Sequence, residues 1–494
     1  RAYLGEKMQK LLRDAGLFRE QCLINGQWCG ADDGKVLRVT NPVDNSLLGQ
    51  APDCGAAETR RAIEAAQAAF PAWKAKTPQE RGDLLRAWGQ AIEDNLEDLA
   101  RLLTLEEGKP LAEARGEIRQ GASYFPWFAE EIRRAAGEVT PVFRQGVQAL
   151  TRREPVGVAA AITPWNFPMS MLPRKVAPAL AAGCTVVVKP ASATPYSALA
   201  LAELGQRVGL PAGVLNVLTG GAAVIGGEIT ANPLVRKLSF TGSTAVGKAL
   251  AAQCGPTLKR LSMELGGNAP FIVFADADLD RAVSLGMACK FRNAGQTCIC
   301  ANRFLVERPV YDQFAQAMLA QVRALRVGNG LDPATDMGPL INPAAVAHAD
   351  ALVRDAQDKG AQVLAGGRPH SLGGNFYEPT LLTGLTPQMR IFHEEIFGPV
   401  AALMPFDTEE EAVALANDTE YGLASYVCTN HMPRVWRLFR NLQYGMAGVN
   451  DITLAAAETP FGGTKNSGLG REGGREGLLE YMETRYLLLG GLEG

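Results

Sequence analysis

At 494 residues and 47% hydrophobic content, the chain exceeds what one hydrophobic core can organise and should fold as two or three domains without disulfide staples. A formal charge of −3, with no dense Lys/Arg cluster interleaved with aromatics, excludes an electrostatic case for nucleic acid or an anionic membrane and leaves small molecules as partners. Four histidines, none at helical spacing from another, argue against a metal centre, and nine scattered cysteines form neither a disulfide framework nor a ligand set, so a reducing, cytoplasmic setting is expected.

In chain order, Arg1, Glu6, Lys7 and Lys10 interrupt any apolar run that a secretory signal would need, and the residues before Met8 read as a start-site remnant. Between about residues 57 and 130, Leu84, Trp88, Ile92, Leu96, Leu99 and Leu103 recur every three or four positions, which predicts helices whose apolar stripe covers a sheet. Residues 139–154, turning at Gly146, together with Tyr481–Leu489, read as a small projecting sheet. An exposed strand edge usually finds a partner, so a homodimer or homotetramer is expected.

From Val156 to Glu264 short β-prone runs alternate with helical segments. The runs are Val156–Ile162, Thr185–Lys189, Val214–Leu218, Val235–Phe240 and Lys259–Glu264, and the helices lie near 168–182, 195–208, 222–230 and 243–253. This is the pattern of a doubly wound parallel sheet, a Rossmann-like α/β fold. Its longest apolar stretch, Val176 to Val188, contains Pro178 and is too short to span a bilayer. A second alternation runs from Phe271–Phe274 through a helix at about 279–291 and the strand Phe304–Glu307 to Met446–Asn450. The expected division is a cofactor-binding domain of residues 18–137 and 155–266, a catalytic domain of 267–450, and a β flap for oligomerisation made of 138–154 and 470–494.

The turns between these elements carry the chemistry. Asn166 in ITPWNFP has an amide that can donate to an oxyanion or cap the next helix. Lys189 and Ser192 in VVVKPASATP end a buried strand at the edge where such sheets hold nucleotides. Gly242 and Ser243 open a helix directly after a strand, a place for a phosphate or simply an N-cap. Glu264 precedes Gly266 and Gly267 and is either a base or a solvated strand end. Cys298, two residues before Cys300 in GQTCIC, is a nucleophile or a small buried hydrophobe.

Taken jointly and in this order, WNFP, KPAS, FTGST, ELGGNAP, FRNAGQTC, EEIFGP and PFGGTKNSGLGRE resemble the aldehyde dehydrogenases, and within them the succinate-semialdehyde dehydrogenases. The resemblance implies that Cys298 attacks the aldehyde carbon, that Asn166 and the Cys298 N–H hold the resulting oxyanion, and that Glu264 activates water to hydrolyse the thioester. It places Lys189 and Ser192 at the adenine ribose, Gly242 and Ser243 at the pyrophosphate, and Glu395 and Phe397 at the nicotinamide ribose, with Pro164, Trp165 and Leu265 completing the cofactor site. Relatives that use NAD often carry an acid where this chain has Ser192, so NADP is expected to be preferred, with NAD possible and no metal required.

By the same resemblance Arg174 and Arg292 clasp the far carboxylate of a semialdehyde, a task that suits guanidinium geometry, while structural salt bridges are the plainer alternative. One departure stands out: Ala455 occupies the place of the serine that those enzymes use as a third carboxylate contact. Succinate semialdehyde is the first expectation. Thr453 could compensate, or the pocket could be opened for glutarate semialdehyde or another acid-aldehyde. A CoA-acylating enzyme would have little need of Glu264, and a non-catalytic protein on this scaffold would usually have lost one of these groups. A bond between Cys298 and Cys300 would silence the nucleophile, which raises a redox switch as a further expectation.

Overall fold

The structure, a computed structural model, describes residues 8 and 10–492; the expected start-site remnant before Met8 lies outside the described residues. Two α/β layers dominate it. The first sheet has eight strands, with Arg260–Glu264, Val235–Thr241, Val158–Ile162, Thr185–Lys189 and Leu215–Val217 as a parallel centre. Val158–Ile162 and Thr185–Lys189 are buried throughout, as strands covered by helices on both faces must be.

The crossover helices begin and end where local chemistry dictates. Pro168 sits in the first turn of Pro168–Ala182 and Gly183, at φ 102°, ends it in the left-handed region; Pro195 likewise starts Pro195–Arg207. Four helices, Ala56–Ala75, Pro78–Asp94, Leu96–Glu107 and Leu111–Glu131, cover the sheet, and the Trp73 and Trp88 indoles donate to the carbonyls of Leu180 and Leu201. Leu85, Trp88, Ile92, Leu99 and Leu103 are buried in the same core, so the apolar stripe is packing.

The hairpin Cys22–Ile24 and Gln27–Cys29, turning through left-handed Asn25 and Gly26, adds two antiparallel strands to the sheet's far edge. The second sheet has seven strands, all drawn from residues between Ala269 and Val449. Between the sheets, the chain from Glu264 to Ala269 is the shortest link, and the functional groups gather around it.

Val139–Thr140, Gln148–Pro155 and Met482–Leu489 form a separate three-stranded sheet. This narrows the expected flap. Residues 470–481 are not part of that sheet: Gly468–Leu469 pairs with Met263 and Glu264 in the first sheet, and the segment after it carries Glu472 into the molecule's centre. The reason is electrostatic, since Glu472 is the counter-ion of Arg174 and Lys175.

Candidate active site

A cavity of about 230 Å³ opens at the carboxyl ends of the parallel strands of the first sheet. Its wall is built from the turns after three strands, Pro164–Asn166, Thr241–Ser243 and Leu265–Gly266, with Cys298, Glu395 and Phe397 from the second α/β unit. Close approach explains the glycines. A Cβ at Gly266 would stand 2.6 Å from the Glu395 carboxylate and one at Gly267 2.4 Å from the Cys298 carbonyl, so neither position accepts a side chain without displacing the site. Phe397 is held at φ 50° and meets Trp165 edge to face, a left-handed backbone position of the kind that a surrounding site must over-determine.

Cys298 is half-buried at the cavity wall, and its thiol is pushed up to about 12, first by burial and then by the carboxyls of Glu395 and Glu264, against the opposing pull of Arg174. Cys300 points elsewhere: it is buried, donates to the Gly295 carbonyl and lies 3.7 Å from the Lys290 ammonium. Asn166 is not a helix cap. Its amide donates to the Gln296 carbonyl at 3.1 Å while the residue lines the cavity, which leaves the second N–H of the NH₂ group for another acceptor. Glu264 is not a solvated strand end either: it is buried, and neither carboxylate oxygen has a hydrogen-bond partner among the described residues. Burial, then Glu472, raises its pKa well above the carboxylate range, opposed by Arg174, Lys175 and Arg471.

At Gly242 and Ser243 the structure modifies the expectation of free N–H groups. The Gly242 N–H is committed to the Glu264 carbonyl, and the Ser243 hydroxyl caps Val246. The donors left for an anion in the first helical turn are therefore the N–H groups of Thr244 and Ala245, which no intrahelical carbonyl reaches. A second, apolar groove of about 450 Å³ lies between helices Ala222–Ala231 and Thr244–Cys254, and Lys189 is the one charged residue lining it among the described residues. Burial lowers the Lys189 ammonium to about 8. Ser192 is exposed, does not line this groove and donates to the Gly220 carbonyl.

The two arginines separate. Arg292 is exposed and lines a third cavity of about 280 Å³ with Gln120, Tyr426, Thr453 and Ala455. Arg174 lines none of these cavities: it is buried, stacked on Phe461 and paired at 3.0 Å with Glu472, with its Nη2 left unpartnered. The plainer alternative, a structural salt bridge, is what the structure shows for Arg174, and its charge acts on Cys298 and Glu264. Sequence reading missed Lys175, which donates to Glu472 at 2.6 Å and to Thr241 at 2.7 Å, and missed Glu472 itself. Lys175 follows Arg174 and Glu472 ends PFGGTKNSGLGRE, but a partner 297 residues away has no local signature. Among the described residues no group of three or more His, Cys, Asp or Glu could hold a metal, and no helix is long and apolar enough to cross a membrane.

The pattern of the aldehyde dehydrogenase family matches residues 28–487, and the chain belongs to that family of nicotinamide-dinucleotide-dependent oxidoreductases. It is 52% identical to a glutarate-semialdehyde dehydrogenase of Pseudomonas aeruginosa, over 97% of this chain and all of that one. It is likewise 52% identical to an NADP-linked succinate-semialdehyde dehydrogenase of Escherichia coli, over 97% of this chain and 99% of that one. The crystal structure of a succinate-semialdehyde dehydrogenase from Burkholderia pseudomallei superposes with a TM-score of 0.96 at 53% identity, covering 97% and 99% of the two chains.

Proposed function

We propose that the protein oxidises an ω-carboxy aldehyde to the dicarboxylic acid, with succinate semialdehyde first and glutarate semialdehyde as the alternative that Ala455 favours. The observation that carries this reading is Cys298 and Asn166 on the wall of one cavity, with Glu264, unpartnered among the described residues, close enough for its charge to act on the Cys298 thiol. Cys298, as thiolate, bonds to the aldehyde carbon, and the free N–H of the Asn166 amide meets the oxygen where negative charge develops. When bound, the oxidised dinucleotide supplies the hydride acceptor and a positive charge that favours the thiolate. The thioester left on Cys298 is then hydrolysed by water that gives its proton to the Glu264 carboxylate, whose ionised form Arg174, Lys175 and Arg471 favour against burial. A base so placed makes transfer to CoA unnecessary.

Arg292 is the first candidate to hold the substrate's carboxylate, since its guanidinium is exposed at the cavity beside Ala455 and makes no hydrogen bond among the described residues. Arg292→Leu is expected to lower kcat/KM for semialdehydes about 10- to 100-fold, the scale of a charge-assisted hydrogen bond of roughly 1.5–3 kcal/mol, and to spare uncharged aldehydes. A kcat/KM panel over chain length, with and without the carboxylate, measures this. Equal losses for charged and uncharged aldehydes, or uncharged aldehydes preferred by the native enzyme, would refute it.

The cofactor reading is NADP before NAD. Lys189 is a cation in a groove that no carboxylate lines among the described residues, and the resemblance puts the exposed Ser192 hydroxyl at the same ribose, which suits a 2′-phosphate. Ser192→Glu is expected to reverse the preference, read as the ratio of kcat/KM for the two cofactors. Because burial lowers Lys189 to about 8, its charge is complete below that pH and lost above it, so the NADP preference should decline as pH rises past about 8. A native preference for NAD would contradict this assignment.

The same reading assigns residues 18–137 and 155–266 to the cofactor and 267–450 to the nucleophile and substrate. Homo-oligomerisation is supported by the apolar side chains that the small sheet exposes, Val139 at 70% and Tyr486 at 62%. Nine free cysteines suit a cytoplasmic setting.

A further inference from the structure

We propose that Lys109 and Glu117, two residues outside every motif named above, are positioning residues that fix the oxyanion donor Asn166. The proposal rests on the reading of Asn166 as that donor.

The Asn166 side chain can be aimed only as well as its backbone is held. Its carbonyl accepts from the Lys109 ammonium at 2.8 Å and from the Asn293 amide at 3.2 Å. Lys109 is fully buried, pairs with the Glu117 carboxylate and lies 3.9 Å over the Phe167 ring. The second Glu117 oxygen accepts the Met169 N–H at 2.7 Å, which caps the helix that starts at Pro168. One lysine–glutamate pair therefore grips residues 166, 167 and 169 together.

The opposite wall is tied to the same point. Asn293 and Ala294 are both left-handed non-glycine residues, at φ 52° and 55°, in the loop that delivers Cys298. That strained turn is held by the Glu113 carboxylate on the Asn293 N–H and by the Asn293 amide, which bridges the carbonyls of Asn166 and Gln296. Gln296 in turn accepts from the Asn166 amide. The donor and the nucleophile loop thus share one carbonyl, and Lys109 supplies its strongest bond.

A buried ion pair is a weak source of stability. Burying two charges costs several kcal/mol before their attraction offsets it, and apolar residues of similar size often serve as well. What an apolar pair cannot do is donate to the Asn166 carbonyl.

The test compares wild type, K109M, K109M/E117M, N166A and K109M/N166A, with kcat and KM measured separately under saturating NADP and the melting temperature recorded. K109M/E117M leaves no unpaired buried charge and guards against failure of K109M to fold. Both Lys109 variants are expected to lose about 10- to 100-fold in kcat with KM little changed, the scale of a displacement of about 1 Å at a reacting group. In the N166A background K109M should add no further loss, because its effect passes through Asn166. A folded K109M/E117M with wild-type kcat overturns the proposal, as does a K109M loss that multiplies in full with that of N166A. Normal turnover in N166A itself would overturn the reading of Asn166 and the proposal together, whereas a defective N166A beside a normal K109M/E117M would remove only the proposal.

Discussion

Cys298→Ala is expected to abolish aldehyde oxidation while the protein keeps its fold and its cofactor affinity. The thiol is half-buried at the cavity wall and forms no hydrogen bond that the fold depends on among the described residues, so its removal leaves packing nearly intact. No other thiol can take its place: Cys300 and Cys289 are buried, and both are directed at backbone carbonyls of the same loop. Loss of a covalent nucleophile costs on the order of 10⁶-fold in kcat where it has been isolated in other enzymes, below the detection limit of a dehydrogenase assay. Progress curves of reduced dinucleotide, with a melting curve as control, measure it. Turnover near that of the native enzyme would remove the covalent route.

Glu264→Gln is expected to separate the two halves of the reaction. The amide has the carboxyl's shape and enters a buried site where the acid makes no hydrogen bond among the described residues, so the fold should tolerate it. It cannot accept the proton of an attacking water. Thiohemiacetal formation and hydride loss should proceed once, giving a burst of reduced dinucleotide stoichiometric with subunits. Steady turnover should then fall by about 10²- to 10⁴-fold, the usual contribution of a general base. Rapid-mixing absorbance resolves the burst. Unchanged steady turnover, or slowing with no burst, would show that Glu264 does not act after hydride loss.

The core of this architecture was legible in the sequence because parallel strands buried on both faces read as short apolar runs and their crossover helices announce themselves with Pro and Gly. Thr185–Lys189 and the helix Pro168–Ala182 fall where the pattern puts them. The hairpin Cys22–Ile24 and Gln27–Cys29 did not stand out: strands of three residues are too short for alternation to show, although Asn25-Gly26 is a strong turn signal. At the site, residues carrying distinctive chemistry beside glycine or proline were found, including Asn166, Glu264 and Cys298. Lys175, Glu472, Lys109 and Glu117 were not, because what they do depends on partners brought together by the fold, and a buried ion pair looks in sequence like two surface charges. Arg174 shows the converse: it was marked for its charge, but Glu472 had already claimed one edge of its guanidinium.

The account stands on a covalent bond between the substrate carbon and one sulfur. Glu264→Gln enzyme, mixed with NADP and succinate semialdehyde, quenched in acid and digested, should yield the peptide containing Cys298 with the mass of an added succinyl group, in step with the reduced dinucleotide formed. An unmodified Cys298 peptide in a sample that has formed reduced dinucleotide would contradict it.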